Sequence, residues 1–279
     1  MRMLEAVRAH DVTSMHCGGT IEHIFEPEDV AQLCEFVSSH KDFYILGGGT
    51  NTIFEDIAIT RPVLRLGKEF SGMEQIPGGI LAGAAVSMKH LVSFCVKNGL
   101  TGLEFMAGIP GQLGGAIHMN AGTPEKGILD VVSEIVTVEA SGLVTIRPSE
   151  LDYGYRISNI GARTVITSVK IAVAPSTKQE VRAGILAYLA RRRNQPRGFN
   201  SGSIFKNPKD RPAGMLIEKA GLKGYRIGGA RISEIHANFI INDGTATTSD
   251  IKELISLVKD RVKGQFGIAL AEEVRIIGQ

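Results

Sequence analysis

Two common nucleotide signatures are missing from this chain. No GxGxxG occurs anywhere in its 279 residues, and no GxxxxGK[ST] follows an apolar run. Their absence argues against Rossmann dinucleotide and P-loop phosphate sites. An excess of basic charge is missing too: 31 Lys and Arg against 29 Asp and Glu leave a formal charge of +2. That is too little to neutralise a phosphate backbone, so nucleic acid is not an expected partner. Cysteine is scarce. Cys17, Cys34 and Cys95 lack metal-ligand spacing and read as reduced, buried thiols, consistent with a cytoplasmic protein and no metal. The first residues, MRMLEAVRAHDV, have no apolar signal core, and no apolar run long enough to span a bilayer follows, so secretion and membrane insertion are not expected.

What the chain has is glycine placed in two unusual stretches. One is GLEFMAGIPGQLGGAIHMNAG, Gly102 to Gly122, where glycine alternates with small apolar residues and backbone can approach a ligand that side chains would obstruct. It is too glycine-dense for a packed strand and too long for a hairpin, so it is expected to be an extended loop. The other, Gly47-Gly48-Gly49-Thr50-Asn51, follows the apolar run Phe43 to Leu46 and offers backbone amides and two short polar side chains to an anion. Together they suggest one dinucleotide held at two places.

Around these loops the pattern is mixed α and β. Glu26-Pro27-Glu28-Asp29 opens a helix with Val30, Leu33, Cys34 and Val37 on one face. Ser87 caps a second helix with Met88, Leu91, Val92 and Cys95 inward, ended by Gly99. Short strands are expected between Val63 and Ala85 and over 131–147 and 164–174. Thr177-Lys178-Gln179-Glu180 is a capping box that starts a helix turning Val181, Ile185 and Leu189 to a core and ending in Arg191-Arg192-Arg193. That cluster sits where the helix dipole favours cations, so a solvated role and a phosphate-binding role both stay open. A last long helix, from about Ser249, buries Ile251, Leu254, Ile255, Val258 and Val262.

The motifs LGGGTN (46–51), the Gly102 to Gly122 stretch, YGYRIS (153–158), GSIFKNP (202–208) and EEVRIIG (272–278) fall in an order that resembles the UDP-N-acetylenolpyruvoylglucosamine reductases. The resemblance runs over almost the whole chain and is nearest to the shorter type that lacks a tyrosine-bearing substrate loop. It implies an α+β chain built on the FAD-binding fold of the vanillyl-alcohol oxidase type, with a C-terminal α+β substrate domain. The expected division is 1–175 for FAD, in two subdomains split near 66, and 176–279 for substrate. The last strand, about 271–279, is a candidate to return to the FAD region. The implied activity is NADPH-dependent reduction of an enolpyruvyl UDP-sugar in cell-wall synthesis, with non-covalent FAD.

Reduction of an enolpyruvyl ether needs a hydride, a sink for negative charge and a proton. By resemblance Arg156 is the carboxylate-binding sink, Ser203 the proton donor and Glu273 the catalytic glutamate, with Glu272 as its neighbouring competitor. FAD contacts are expected from Gly47, Gly48, Gly49, Thr50, Asn51, Gly108, Ile109, Pro110, Gly111, Gly114, Gly115, Asn120 and Gly122. Substrate contacts are expected from Tyr155, Lys206, Asn207, His236 and Asn238. The chain departs from the family pattern at His16-Cys17, before the paired Gly18-Gly19, and at Thr123-Pro124-Glu125. Two other readings stay open on the sequence: a different FAD oxidase or dehydrogenase of this fold, and a sugar-nucleotide binding protein without the chemistry.

Overall fold

The structure is a computed structural model that describes residues 1–139, 142–209 and 211–278. It divides into two compact units. One comprises Met1–Leu4, Ile24–Gly48 and Pro62–Arg193; the other comprises Glu5–His23, Gly49–Arg61 and Asn194–Gln279. The units break after Arg193 rather than at Pro175, because the helix Lys178–Arg191 packs with the elements that precede it.

The first unit is organised by a five-stranded antiparallel sheet in the order Gly142–Ile146, Val132–Glu139, Val165–Ala172, Gly79–Gly83, Met73–Ile76. Val165, Val169 and Ile171 of its central strand are buried, but the alternation is broken by register shifts between Ile166 and Ser168 and between Lys170 and Ile171. Those shifts are why Val165, Ser168 and Val169 alternate imperfectly in the sequence. Ile24, Val63 and Tyr44 form a short parallel set beside it in the chain order. Helix Met88–Asn98 is capped by the Ser87 side chain, which accepts from the His90 amide, and ends at Gly99 in the left-handed region. Its Met88, Leu91 and Cys95 join Leu33 and Phe36 of helix Val30–Ser39 in one apolar core.

Helix Lys178–Arg191 has the expected capping box between Thr177 and Glu180, yet only Val181 among its inward candidates is buried. Leu189 is exposed. Cys34 is likewise only half-buried, unlike Cys17 and Cys95.

The second unit has a separate core. A three-stranded antiparallel sheet, Arg226–Ile227, Ala230–Ile232 and Ile240–Asn242, is covered by helices Ala213–Lys219 and Thr248–Phe266, the latter burying all five predicted residues. Thr52–Phe54 and Arg275–Ile277 form a parallel pair in this unit. The short segment that follows the first glycine stretch is thereby joined to the end of the chain.

Candidate active site

In the first unit the two glycine stretches meet. A Cβ placed on Gly48 would stand 2.9 Å from the Gly111 Cα and 3.3 Å from the Gln112 amide nitrogen, so backbone lies against backbone where only glycine fits. The longer stretch is zipped to the segment 84–88: Gly114 donates to Ala84 at 2.8 Å, Leu113 to Val86 at 2.9 Å and Met88 to Gly111 at 3.0 Å. This pairing lets residues expected to be loop close one short helix, Leu113–His118, preceded by a single turn at Glu104–Met106. Within that helix Gly115 faces open space, with nothing inside 4 Å of a Cβ placed there. A floor of backbone with an open Cβ-free face suits an extended dinucleotide, and Gly47, Gly48, Gly111 and Gly115 are the residues placed to form it. FAD, when bound, supplies hydride chemistry that no side chain can.

Asn120 and Gly122 do something the sequence did not suggest. Asn120 is buried at φ +44°, and its side-chain oxygen accepts from the Leu129 amide at 3.0 Å while its nitrogen donates to Gly154 O at 2.8 Å. Arg156 donates from its guanidinium to Gly122 O at 2.9 Å. Ser158 Oγ donates to His118 O at 2.8 Å. These bonds grip the small hairpin in which Tyr153 pairs with Ser158 and Gly154 with Ile157. Its turn places Arg156 in the left-handed region at φ +56°, with the guanidinium 5.2 Å from the Tyr155 ring centre. Left-handed backbone is costly for a side-chain-bearing residue, and the surrounding bonds hold it there.

In the second unit Ser203 and Glu273 are joined through one residue. Ile204 O accepts from the Glu273 amide at 2.8 Å, and Lys206 donates to Ala271 O at 2.8 Å. Asn51 donates from its side chain to Glu273 O at 3.0 Å, and Arg275 donates to Asn51 O at 3.0 Å. The glutamate segment is therefore tied to the Ser203 loop on one side and to the first glycine stretch on the other. Gly49 in that stretch, at φ +63°, packs on Val12 and Thr13 and accepts from Ser14. The competitor Glu272 is committed to an ion pair with Lys259 at 2.9 Å.

Asn238 is buried, and its amide spans the backbone of Phe205, accepting from N at 3.0 Å and donating to O at 2.8 Å. His236 accepts at Nδ1 from the Asn238 amide at 3.2 Å. Burial lowers its pKa, which keeps the ring neutral and Nδ1 an acceptor. Asn207 accepts from the Ala213 amide at 3.0 Å and caps the helix that follows. All three act on the backbone that carries Ser203 or on its neighbours.

Residues 22–146 match the family described as FAD binding domain, and residues 195–277 match the C-terminal domain of UDP-N-acetylenolpyruvoylglucosamine reductase. The chain is an FAD-dependent oxidoreductase with an FAD binding domain in an α+β fold. A UDP-N-acetylenolpyruvoylglucosamine reductase of Geotalea uraniireducens is 35% identical, with 100% of this chain and 94% of the relative covered. One of Syntrophus aciditrophicus is 40% identical over 96% of this chain and 89% of its own. The crystal structure of the Thermus caldophilus reductase superimposes with a TM-score of 0.88 at 32% identity and covers 99% of both chains. This chain belongs to the UDP-N-acetylenolpyruvoylglucosamine reductase family.

In the Arg191-Arg192-Arg193 cluster, whose role the sequence left open, one member stands apart. Its neighbour Arg191 lies on the Tyr188 ring at 5.0 Å and Arg193 is exposed. Arg192 instead turns inward over Gly108: a Cβ on that glycine would stand 3.2 Å from its Cδ and Nε. A run of three arginines at a helix end was the available signal, but not which of them turns inward.

Proposed function

We propose that the protein reduces UDP-N-acetylglucosamine enolpyruvate to UDP-N-acetylmuramate, using FAD and NADPH, in the synthesis of peptidoglycan precursors in the cytoplasm. The observation that carries the reading is full-length membership of the reductase family together with an Arg156 at positive φ that donates to the Gly122 carbonyl, on a hairpin whose Gly154 carbonyl accepts from Asn120. Among the described residues no helix is long and apolar enough to cross a membrane.

In this reading Arg156 binds the enolpyruvyl carboxylate with two parallel hydrogen bonds and receives the charge that develops when hydride adds to the terminal methylene. Ser203 gives its proton to the carbon beside the carboxylate. Glu273 orients or protonates the same centre, its main chain held by Asn51 and Ile204. Asn238 and His236 keep the Ser203 segment in place through the Phe205 backbone, while Tyr155, Lys206 and Asn207 line the sugar nucleotide. Gly47, Gly48, Gly111 and Gly115, with Gly49, Thr50, Asn51, Gly108, Ile109, Pro110 and Gly114, would hold the FAD that supplies the hydride.

Anaerobic stopped-flow absorbance tests the assignment. Protein whose flavin has been reduced by NADPH should be reoxidised rapidly by the enolpyruvyl substrate and not by UDP-N-acetylglucosamine. Ser203→Ala should slow that reoxidation by a factor of about 10² to 10⁴ and leave reduction by NADPH nearly unchanged. Equal slowing of both half-reactions would make the serine a structural residue.

A further inference from the structure

His16 and Phe199 hold two separate segments of the second unit together. Their rings stack with centres 4.0 Å apart and planes at 30°, and the His10 ring meets His16 edge-on at 4.7 Å. One residue also joins the two backbones: Asn242 donates from Nδ2 to Met15 O at 2.8 Å and to His16 O at 2.9 Å, while its amide donates to Phe199 O at 3.0 Å. Ser14 adds a further tie, donating from Oγ to Asn200 O at 2.7 Å. This knot holds the start of the segment that carries Ser203. Asn200 Oδ1 accepts from the Gly202 amide at 3.0 Å, and Gly202, at φ +74°, makes the turn into Ser203.

Phe199 is exposed and belongs to neither apolar core, so the stack with His16 is what orients its ring. His16 is half-buried and sits at φ +54°. Its Nδ1 atom is buried and has no hydrogen-bond partner among the described residues. An imidazolium needs an acceptor at each nitrogen, and the nearby carboxylate is already engaged: Asp11 accepts from Arg8 through two bonds at 3.0 Å and lies 2.9 Å from His10 Nδ1. Burial, and then the positive charge of His10, lower the His16 pKa against the pull of Asp11. The stacked ring is therefore the neutral one.

We propose that His16 is a positioning residue for Ser203, holding the segment from Phe199 to Ser203 in place through its stack on the Phe199 ring while the imidazole is neutral. Protonation turns the ring out to solvate Nδ1, Phe199 is released, and Ser203 loses its fixed place. The proposal rests on the function given above and on the proton donation assigned there to Ser203.

Anaerobic stopped-flow on FAD-loaded protein follows the two half-reactions from pH 8 to pH 5. In the parent, reoxidation by the enolpyruvyl substrate should slow on acidification, with reduction by NADPH changing far less. His16→Asn accepts left-handed backbone but has no ring; its reoxidation at pH 8 should be slower by roughly twofold to tenfold, the shift expected from losing one aromatic pair. Phe199→Leu, at an exposed position, should behave alike. His16→Phe keeps a ring against Phe199 and cannot titrate, so it should recover most of the rate that His16→Asn loses and flatten the acid fall. Added to Ser203→Ala, His16→Asn should slow reoxidation no further, because both substitutions act on one proton transfer.

Two measurements need no turnover. The His16 C2 proton, followed by NMR, should titrate below the ordinary histidine value of about 6.5, and nearer to it in Phe199→Leu. Because the unfolded chain takes up this proton first, the contribution of His16 to stability is complete above pH about 6.5 and lost as pH falls through its lower folded value. Acid should therefore lower the melting temperature of the parent more than that of His16→Phe.

A parent rate and a parent pH profile in Phe199→Leu would overturn the proposal. So would an unchanged acid fall in His16→Phe, which would place the titrating group elsewhere. Equal slowing of both half-reactions by His16→Asn, or a further slowing of Ser203→Ala by the same factor, would make the histidine structural only. Failure of the function itself reads differently: the parent would then not be reoxidised by the enolpyruvyl substrate at any pH, while the NMR titration of His16 would stand.

Discussion

The side-chain nitrogen of Asn120 donates to the carbonyl of Gly154 at 2.8 Å, tying the end of the long glycine stretch to the hairpin that carries Arg156. The same side chain accepts from the Leu129 amide, so one buried residue satisfies two distant backbone groups. Proper placement of the proposed carboxylate-binding arginine thus depends on the loop that precedes it by more than thirty residues.

Asn120→Ala should show this dependence directly. It leaves the Leu129 amide and the Gly154 carbonyl without their partner, and each unsatisfied buried group costs about 1–3 kcal/mol. The melting temperature should fall and turnover should drop, while flavin stays bound. Differential scanning calorimetry and steady-state assays measure both. Unchanged turnover would show that the hairpin keeps Arg156 in place unaided.

Two glycine variants separate a structural glycine from a ligand-facing one. Gly48→Ala forces a Cβ to 2.9 Å from the Gly111 Cα, so both the fold and FAD binding should suffer. Gly115→Ala adds a methyl to open space within a helix, where alanine is favoured over glycine by roughly 1 kcal/mol. The flavin-free form should therefore melt at the same or a higher temperature, yet bind FAD at least about tenfold more weakly, a loss of about 1.4 kcal/mol. Fluorescence titration with FAD gives the affinities. Wild-type affinity in Gly115→Ala would move the cofactor off this helix.

Arg156→Lys keeps the charge and loses the planar fork. Because two-pronged binding of a carboxylate needs that fork, turnover should fall by an order of magnitude or more, about the cost of a charge-assisted hydrogen bond, with flavin content unchanged. Steady-state kinetics against the enolpyruvyl substrate decides it, and full activity in the lysine variant would remove Arg156 from the proposed mechanism.

The buried thiols set an alkaline limit to stability. Burial pushes Cys17 up to about 11 and Cys95 up to about 12, above the value of about 8.5 for an exposed cysteine. The folded state then holds protons that the unfolded chain releases, so this contribution is complete below pH about 8.5 and lost as pH rises through 11 and 12. Denaturant midpoints measured from pH 7 to 10 should decline at the upper end, less steeply in Cys17→Ser and Cys95→Ala. A thiol reagent at pH 8 should leave both untouched until the protein unfolds. Rapid labelling of either in the native state would contradict their burial.

Much of this protein was decided by rules that act within a few residues. Ser87 and Gly99 bound one helix, Thr177 and Glu180 start another, and the spacing of Ile251, Leu254, Ile255, Val258 and Val262 names the buried face of a third. Those rules concern local dihedrals, caps and periodicity, which a linear sequence contains in full. The glycine stretches were visible for the same reason, and the resemblance singled out Arg156, Ser203 and Glu273 by motif. What only the tertiary structure decided involves partners far apart in the chain. Asn51 reaches Glu273 across 222 positions, Asn120 serves the Arg156 hairpin rather than facing outward, and the glycine-rich stretch closes a helix because segment 84–88 pairs with it. Leu189 lies exposed despite its helical spacing, and Arg192 alone turns in over Gly108, half-buried between the exposed Arg191 and Arg193, at a helix end whose local sequence treats all three alike. Local propensity sets the direction of a backbone turn by turn, but which side chain is buried depends on what the fold brings against it.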